Sequence, residues 1–246
     1  MFIDAHTHLD FFEDNIDKAI KEINDLKILT VANSMNVESY LKNKEYEKKS
    51  KYIMPTFGLH PWEAKNFKGD LEGLIPYIEE SKLIGEIGLD FFWEEDETTY
   101  EKQRKVYYFM LKEASKREKL VSIHTKGAEE EILSSLENIN YNKAIIHWYS
   151  GSLETLKKFI DLGCYFTISV DLGYEDKALE VLNLIPMDRL ILETDGPTAL
   201  EWVNGEYAYP KSIIDIYKKV SEIKKIELNT LKDIIEENFK RAINNN

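Results

Sequence analysis

Short β-like runs alternate with amphipathic helical stretches along this whole chain, and that rhythm leaves few folds open. Strand-like runs fall at Phe2–Ala5, Ile28–Ala32, Tyr52–Phe57, Leu83–Ile87, Leu120–Ile123, Ala144–Ile146, Tyr165–Ile168 and Leu190–Leu192. Several are nearly continuous in apolar residues, as expected of strands buried on both faces. Among the stretches between them, Thr98 to Arg117 aligns Val106, Met110 and Ala114 on one helical stripe. Leu228 to Ala242 repeats the pattern with Leu231, Ile235 and Phe239, and predicts a last helix closing an outer layer. The alternation predicts an α/β fold, a TIM (β/α)8 barrel, and 246 residues is close to the roughly 250 that such barrels use. An open doubly wound sheet is the alternative, but no Gly-x-Gly-x-x-Gly follows a strand. With no repeat or linker in sight, residues 1–246 read as one domain. Its longest irregular insertions are expected at Asp90 to Glu97 and Gly196 to Tyr209, on the face where such barrels carry function.

Composition narrows the partners. A formal net charge of −13 argues against a basic nucleic-acid-binding surface, though bound cations can supply positive charge locally. The Lys-rich stretch Lys42 to Lys51 mixes both signs at helical spacing and reads as a solvated face. No apolar run reaches the roughly eighteen residues of a membrane span, and none reads as a signal sequence. The lone Cys164 excludes an internal disulfide and suits a reducing cytoplasm; lying in an apolar run, it reads as a core residue.

The five histidines carry the chemistry. His6 and His8 end the first strand as His-x-His, where alternate side chains share a face and can grip one ion. His60, His124 and His147 each follow a later strand-like run, as do Glu86 and Asp195. One histidine at a strand end usually has a bland, hydrogen-bonded role, but five are hard to ascribe to coincidence. On a barrel, His6, His8, Glu86, His124, His147 and Asp195 converge at the C-terminal mouth. Imidazoles and carboxylates without thiolate suit zinc, manganese or iron, and are nitrogen-rich for a pure magnesium cage. Six ligands exceed the three of a catalytic zinc, which predicts two divalent ions with Glu86 placed to bridge them.

Six motifs then resemble, in order, the TatD family of metal-dependent deoxyribonucleases in the amidohydrolase superfamily. They are Phe2-Ile3-Asp4-Ala5-His6-Thr7-His8-Leu9-Asp10, Gly58-Leu59-His60-Pro61, Gly85-Glu86-Ile87-Gly88-Leu89-Asp90, Ile123-His124-Thr125-Lys126, His147-Trp148-Tyr149-Ser150-Gly151 and Leu192-Glu193-Thr194-Asp195-Gly196-Pro197. The resemblance implies a TIM barrel with His6, His8, Glu86 and Asp195 around one ion, and Glu86, His124 and His147 around a second. It implies cleavage of DNA phosphodiesters, commonly from a 3′ end, with two divalent cations such as zinc, manganese or magnesium. Glu86 and Asp195 are then the catalytic carboxylates, with Asp195 carrying the proton to the leaving oxygen. His60 matches the family's Gly-x-His-Pro and is expected to contact substrate or orient its neighbours rather than to ligate.

Two stretches depart from the family pattern. Thr125-Lys126 stands where the family usually has Ser-Arg, so a phosphate would meet a point charge instead of a bidentate fork. Glu206-Tyr207-Ala208-Tyr209-Pro210 stands where it commonly has Arg-Asn-Glu-Pro. The four tryptophans (Trp62, Trp93, Trp148 and Trp202) fall just after strands, and such rings either pack loops together or stack on unpaired bases. Trp93 is expected to line a groove for a single-stranded DNA end, with Lys126 at a phosphate. The competing reading is a hydrolase of a small ester, lactone or amide, a class that often bridges its ions with a carbamylated lysine. Lys82, at the wrong end of the fourth strand, cannot fill that role. A metal-stabilised binding module is the non-enzymatic alternative, disfavoured because it needs no open two-ion centre.

Overall fold

Buried β-branched and aromatic runs pair side by side as parallel strands, and amphipathic segments cover the outside. A computed structural model of the protein describes residues 1–244. Its strands are β1 (Phe2–Thr7), β2 (Ile28–Asn33), β3 (Ile53–Thr56), β4 (Ile84–Gly88), β5 (Val121–His124), β6 (Ala144–Ile146), β7 (Tyr165–Ile168) and β8 (Leu190–Leu192). The helices are α1 (Ile16–Leu26), α2 (Val37–Glu47), α3 (Pro61–Ala64), α4 (Ile75–Glu80), α5 (Tyr100–Lys116), α6 (Glu129–Asn138), α7 (Leu153–Leu162), α8 (Asp176–Leu184), α9 (Ala199–Asn204), α10 (Ser212–Lys224) and α11 (Leu228–Asn244). Every predicted strand is present, three with identical bounds and the others with ends differing by one or two residues. Val106, Met110 and Ala114 on α5, and Leu231, Ile235 and Phe239 on α11, are all buried against the strands.

The strands form two parallel arcs, β1-β2-β3 and β4-β5-β6-β7-β8. Single bridges, Phe57 with Ile84 and Thr7 with Gly196, join the arcs into the TIM barrel. Pairing is irregular at two places, between Asp4 and Thr7 on β1 and between Ile84 and Ile87 on β4. Such irregularities re-aim side chains, and these two coincide with His6 and Glu86.

Two expectations change. The insertion after β8 is not wholly irregular: residues 199–204 form α9, ended by Gly205 in the left-handed conformation that glycine adopts without strain (φ 82°). The Lys-rich stretch is not one solvated helical face, because α2 stops at Glu47 and buries Asn43 and Tyr46 while Lys48 and Lys49 lie beyond its end.

Close backbone approach delivers the strand-four carboxylate. A Cβ on Gly58 would lie 2.2 Å from the carbonyl oxygen of Glu86, and on Gly88 it would lie 2.0 Å from that of His124. Both neighbours are main chain, so neither can swing aside. Gly58→Ala should therefore destabilise the protein by about 1–3 kcal/mol, the usual scale of overpacking. Thermal unfolding checks this, and an unchanged midpoint would mean that the β3–β4 seam is looser than it stands here.

Candidate metal centre

The seams that close the barrel also assemble the site. At the β8–β1 seam, Asp195 N–H donates to the His6 carbonyl (2.9 Å) and His8 N–H to the Gly196 carbonyl (2.8 Å). Buried Asp4 accepts from the Thr194 amide (2.9 Å) and hydroxyl (2.7 Å), fixing the residue before Asp195. Asp195 (φ 45°) and Trp148 (φ 36°) both hold left-handed backbone without being glycine. That conformation costs on the order of 1–3 kcal/mol and persists only where neighbours enforce it, often at functional sites.

The buried Glu86 carboxylate sorts the imidazoles into two groups. Its Oε2 lies 3.2 Å from His6 Nε2 and 3.3 Å from His8 Nε2. Asp195 Oδ1 joins that side, 3.4 Å from His8 Nε2 and 3.7 Å from His6 Nε2. Glu86 Oε1 faces His147 Nε2 at 2.8 Å, His124 Nδ1 at 2.9 Å and His60 Nε2 at 3.4 Å. Three overlapping triples of donor atoms, His6/His8/Asp195, His6/Glu86/His147 and His60/Glu86/His124, each lie within 4.8 Å of one another.

These contacts fit a cation. His6 Nε2 and His8 Nε2 face each other at 3.4 Å, a spacing that two lone pairs alone disfavour. His147 Nε2 is buried without a hydrogen bond despite its short distance to Glu86. Burial raises a carboxylate, yet the surrounding imidazoles outweigh it and hold Glu86 well below its usual range. Burial also works against the charged form of His147, but Glu86 and Glu193 lift it to about 10. Protons thus take the places that a cation would contest, so metal binding should release them.

The outer ring nitrogens separate His60 from the others. His124 Nε2–H donates to Asp90 Oδ2 (2.8 Å) and His147 Nδ1 meets Glu193 Oε1 (3.3 Å), leaving His124 Nδ1 and His147 Nε2 facing inward. His6 Nδ1 meets the Ser122 hydroxyl at 3.2 Å, with Nε2 inward. His60 Nδ1 instead accepts the Trp62 amide (3.2 Å), and burial lowers this imidazole to about 4, so it is neutral. Its single proton sits on Nε2, and the ring offers the centre an N–H rather than a lone pair. Geometric closeness alone would count His60 as a ligand; its hydrogen bonding does not.

A cavity of about 700 Å³ opens above the centre, lined by all four tryptophans with Phe11 and Phe92. Trp93 and Trp202 are 60% exposed, and the Trp202 ring stands 6.5 Å from Trp93 and 6.4 Å from Trp148. Lys126 Nζ donates to the Trp148 carbonyl (3.1 Å) and Ser150 Oγ (2.8 Å) within the same wall. Glu129, Asp171, Glu175 and Lys177 add mixed charge. The divergent stretch Glu206–Pro210 does not line this cavity. Tyr207 and Tyr209 pack on Phe12, with Tyr209 O–H donating to Asn15 (3.0 Å), which clasps the β8 loop to the N-terminal segment. Sequence reasoning assigned no role to Asp90, Glu193 or Ser122, whose partners are visible only in the fold.

The sequence profile described as TatD related DNase matches residues 3–244. The chain belongs to the TatD family. It is 28% identical to an uncharacterized metal-dependent hydrolase of Buchnera aphidicola, over 98% of each chain. A second such hydrolase, from Methanocaldococcus jannaschii, is 27% identical, again over 98% of each. The crystal structure of a TatD homologue from Escherichia coli matches with a TM-score of 0.88 at 22% identity, covering 100% of this chain and 98% of that one. A TatD family hydrolase from Entamoeba histolytica matches at 0.82 and 20% identity, covering 98% and 97%. The protein is a metal-dependent hydrolase by family, and these structural likenesses establish the fold.

Adding zinc or manganese to chelator-treated protein should raise its thermal midpoint, by about 2.7 kcal/mol of stability at a hundredfold excess over Kd. His8→Ala should shrink that rise. A midpoint indifferent to both metals would contradict a metal centre here.

Proposed function

We propose that this protein is a deoxyribonuclease that hydrolyses DNA phosphodiesters at a two-ion centre, with an unpaired strand or a 3′ end as substrate. The observation carrying this reading is the division of ligands by Glu86: Oε2 with His6, His8 and Asp195, Oε1 with His124 and His147. Those residues would hold two divalent cations (zinc, manganese or magnesium). When bound, such ions supply positive charge for a phosphate and lower the pKa of water.

The chain's own groups do the rest. Asp195, which lines the cavity, takes the proton of the attacking water and passes it to the leaving oxygen as the P–O bond breaks. His60 Nε2–H is placed to donate to a substrate oxygen while staying out of the ligand set. Lys126 faces a phosphate as a point charge, and Trp93 offers an exposed ring to a base, a contact worth roughly 1–3 kcal/mol. A net charge of −13 makes such local contacts, rather than a basic surface, the means of grip. The one cysteine, buried and free, is in keeping with a cytoplasmic setting.

One observation favours the hydrolysis of a small ester, lactone or amide instead. Besides Glu86 and Asp195, three acids (Glu129, Asp171 and Glu175) line the cavity and would repel a second phosphate. Against it, Lys82 is exposed before β4, and the centre of the donor set is Glu86.

Metal-loaded protein should cleave single-stranded oligonucleotides and leave small esters intact; the reverse preference would overturn the nuclease reading. Asp195→Asn should lower kcat by about 10²–10⁴ with KM little changed. Near-normal turnover with a raised KM would remove Asp195 as the proton carrier. Trp93→Ala should weaken oligonucleotide binding at unchanged metal content, and Lys126→Ala should reduce its salt dependence by about one ion's worth. Unaltered affinity in both variants would favour the small-molecule hydrolase.

A further inference from the structure

Asp90 follows β4 by two residues and is fully buried. Its main chain is clamped by Gln103 of α5, which accepts from the Asp90 amide (2.9 Å) and donates to its carbonyl (3.1 Å). The two carboxylate oxygens face different parts of the site. Oδ2 accepts from His124 Nε2 (2.8 Å) and from the Trp62 indole N–H (2.8 Å). Oδ1 accepts from the amides of Trp93 (2.7 Å) and Phe92 (3.0 Å), the loop residues at the cavity lip.

We propose that Asp90 is a positioning residue that holds His124 in the tautomer able to ligate through Nδ1 and, with its second oxygen, ties that imidazole to the aromatic lip carrying Trp93. The physical reason is donor counting. Five N–H groups converge on one side chain, three on Oδ1 and two on Oδ2, and only a carboxylate accepts on both. A metal-ligating imidazole commonly has its other nitrogen fixed in this way, and removing the fixing group costs about 10–100-fold in metal affinity. Here the same group also sets the loop that presents two rings to substrate.

Asparagine distinguishes this role from bulk packing, because it keeps the shape but offers an NH2 to one side. The three loop amides, including Glu94 at 3.4 Å, cannot change role, whereas an imidazole can. The Trp62 indole N–H cannot change role either, but three fixed donors on the loop side outnumber that one, so in Asp90→Asn the oxygen should stay with the loop, the indole bond should be lost, and His124 Nε2 should become the acceptor. The proton then moves to Nδ1, and the inward lone pair is lost.

The test is 15N-edited NMR of the histidines in metal-free protein, following which ring proton persists as pH rises, alongside zinc titration. Wild type should keep the His124 proton on Nε2, and Asp90→Asn should keep it on Nδ1 with zinc affinity about 10–100-fold lower. In a His124→Ala background, Asp90→Asn should cost little further affinity. A wild-type His124 protonated at Nδ1, or an Asp90→Asn loss of equal size without His124, would overturn the proposal, and the wild-type reading stands even if the variant fails to fold. The inference rests on His124 being a ligand; if His124→Ala bound zinc like wild type, that assignment would fail first. No readout involves DNA, so inactivity against oligonucleotides leaves this test untouched.

Discussion

One buried carboxylate, Glu86, has five imidazoles within 3.4 Å of its two oxygens, and the surrounding structure is organised around that concentration of charge and lone pairs. Burying an ionised carboxylate is costly unless opposite charge and hydrogen bonds compensate. Here the compensation comes from four different strand ends, β1, β3, β5 and β6, so the barrel must close correctly for the site to be tolerable. Stability and the proposed function meet at the same atoms.

The closure explains the backbone irregularities that lie at the site. The β8–β1 seam places Asp195 beside His6 and His8 through two main-chain hydrogen bonds, and Asp195 itself takes a left-handed conformation to reach them. At the other seam the glycine at position 58 lets β3 press against the Glu86 peptide. Outside the proposed ligand set, Asp90, Glu193 and Ser122 occupy the outer nitrogens of three rings and decide which lone pairs face inward. His60 is the contrast: the Trp62 amide takes its lone pair and turns it into a donor.

Much of this was legible in the sequence because strand periodicity and residue type carry it. Runs such as Ala144–Ile146 and Tyr165–Ile168 have the same bounds in both readings, and an imidazole at a strand end announces a position on the barrel mouth. The supporting groups were not legible, since each depends on chain distance: Asp90 reaches His124 across 34 residues, Glu193 reaches His147 across 46, and Ser122 reaches His6 across 116. No local pattern marks such a contact. Helix α9 was hidden because six residues among Gly, Pro and Thr show too little periodicity to separate from a loop. Tyr207 and Tyr209 stand where the family commonly carries a charged element, and only packing shows that they fasten a loop to Phe12.

The central proposal is that Glu86 would serve two coordination spheres at once. The most direct measurement is elemental analysis of purified Glu86→Ala, combined with titration of each metal equivalent. Loss of both ions, with residual binding weakened at each site, is the result this account requires. One ion retained at full occupancy and wild-type affinity would contradict it, and would reduce Glu86 to a ligand of a single centre.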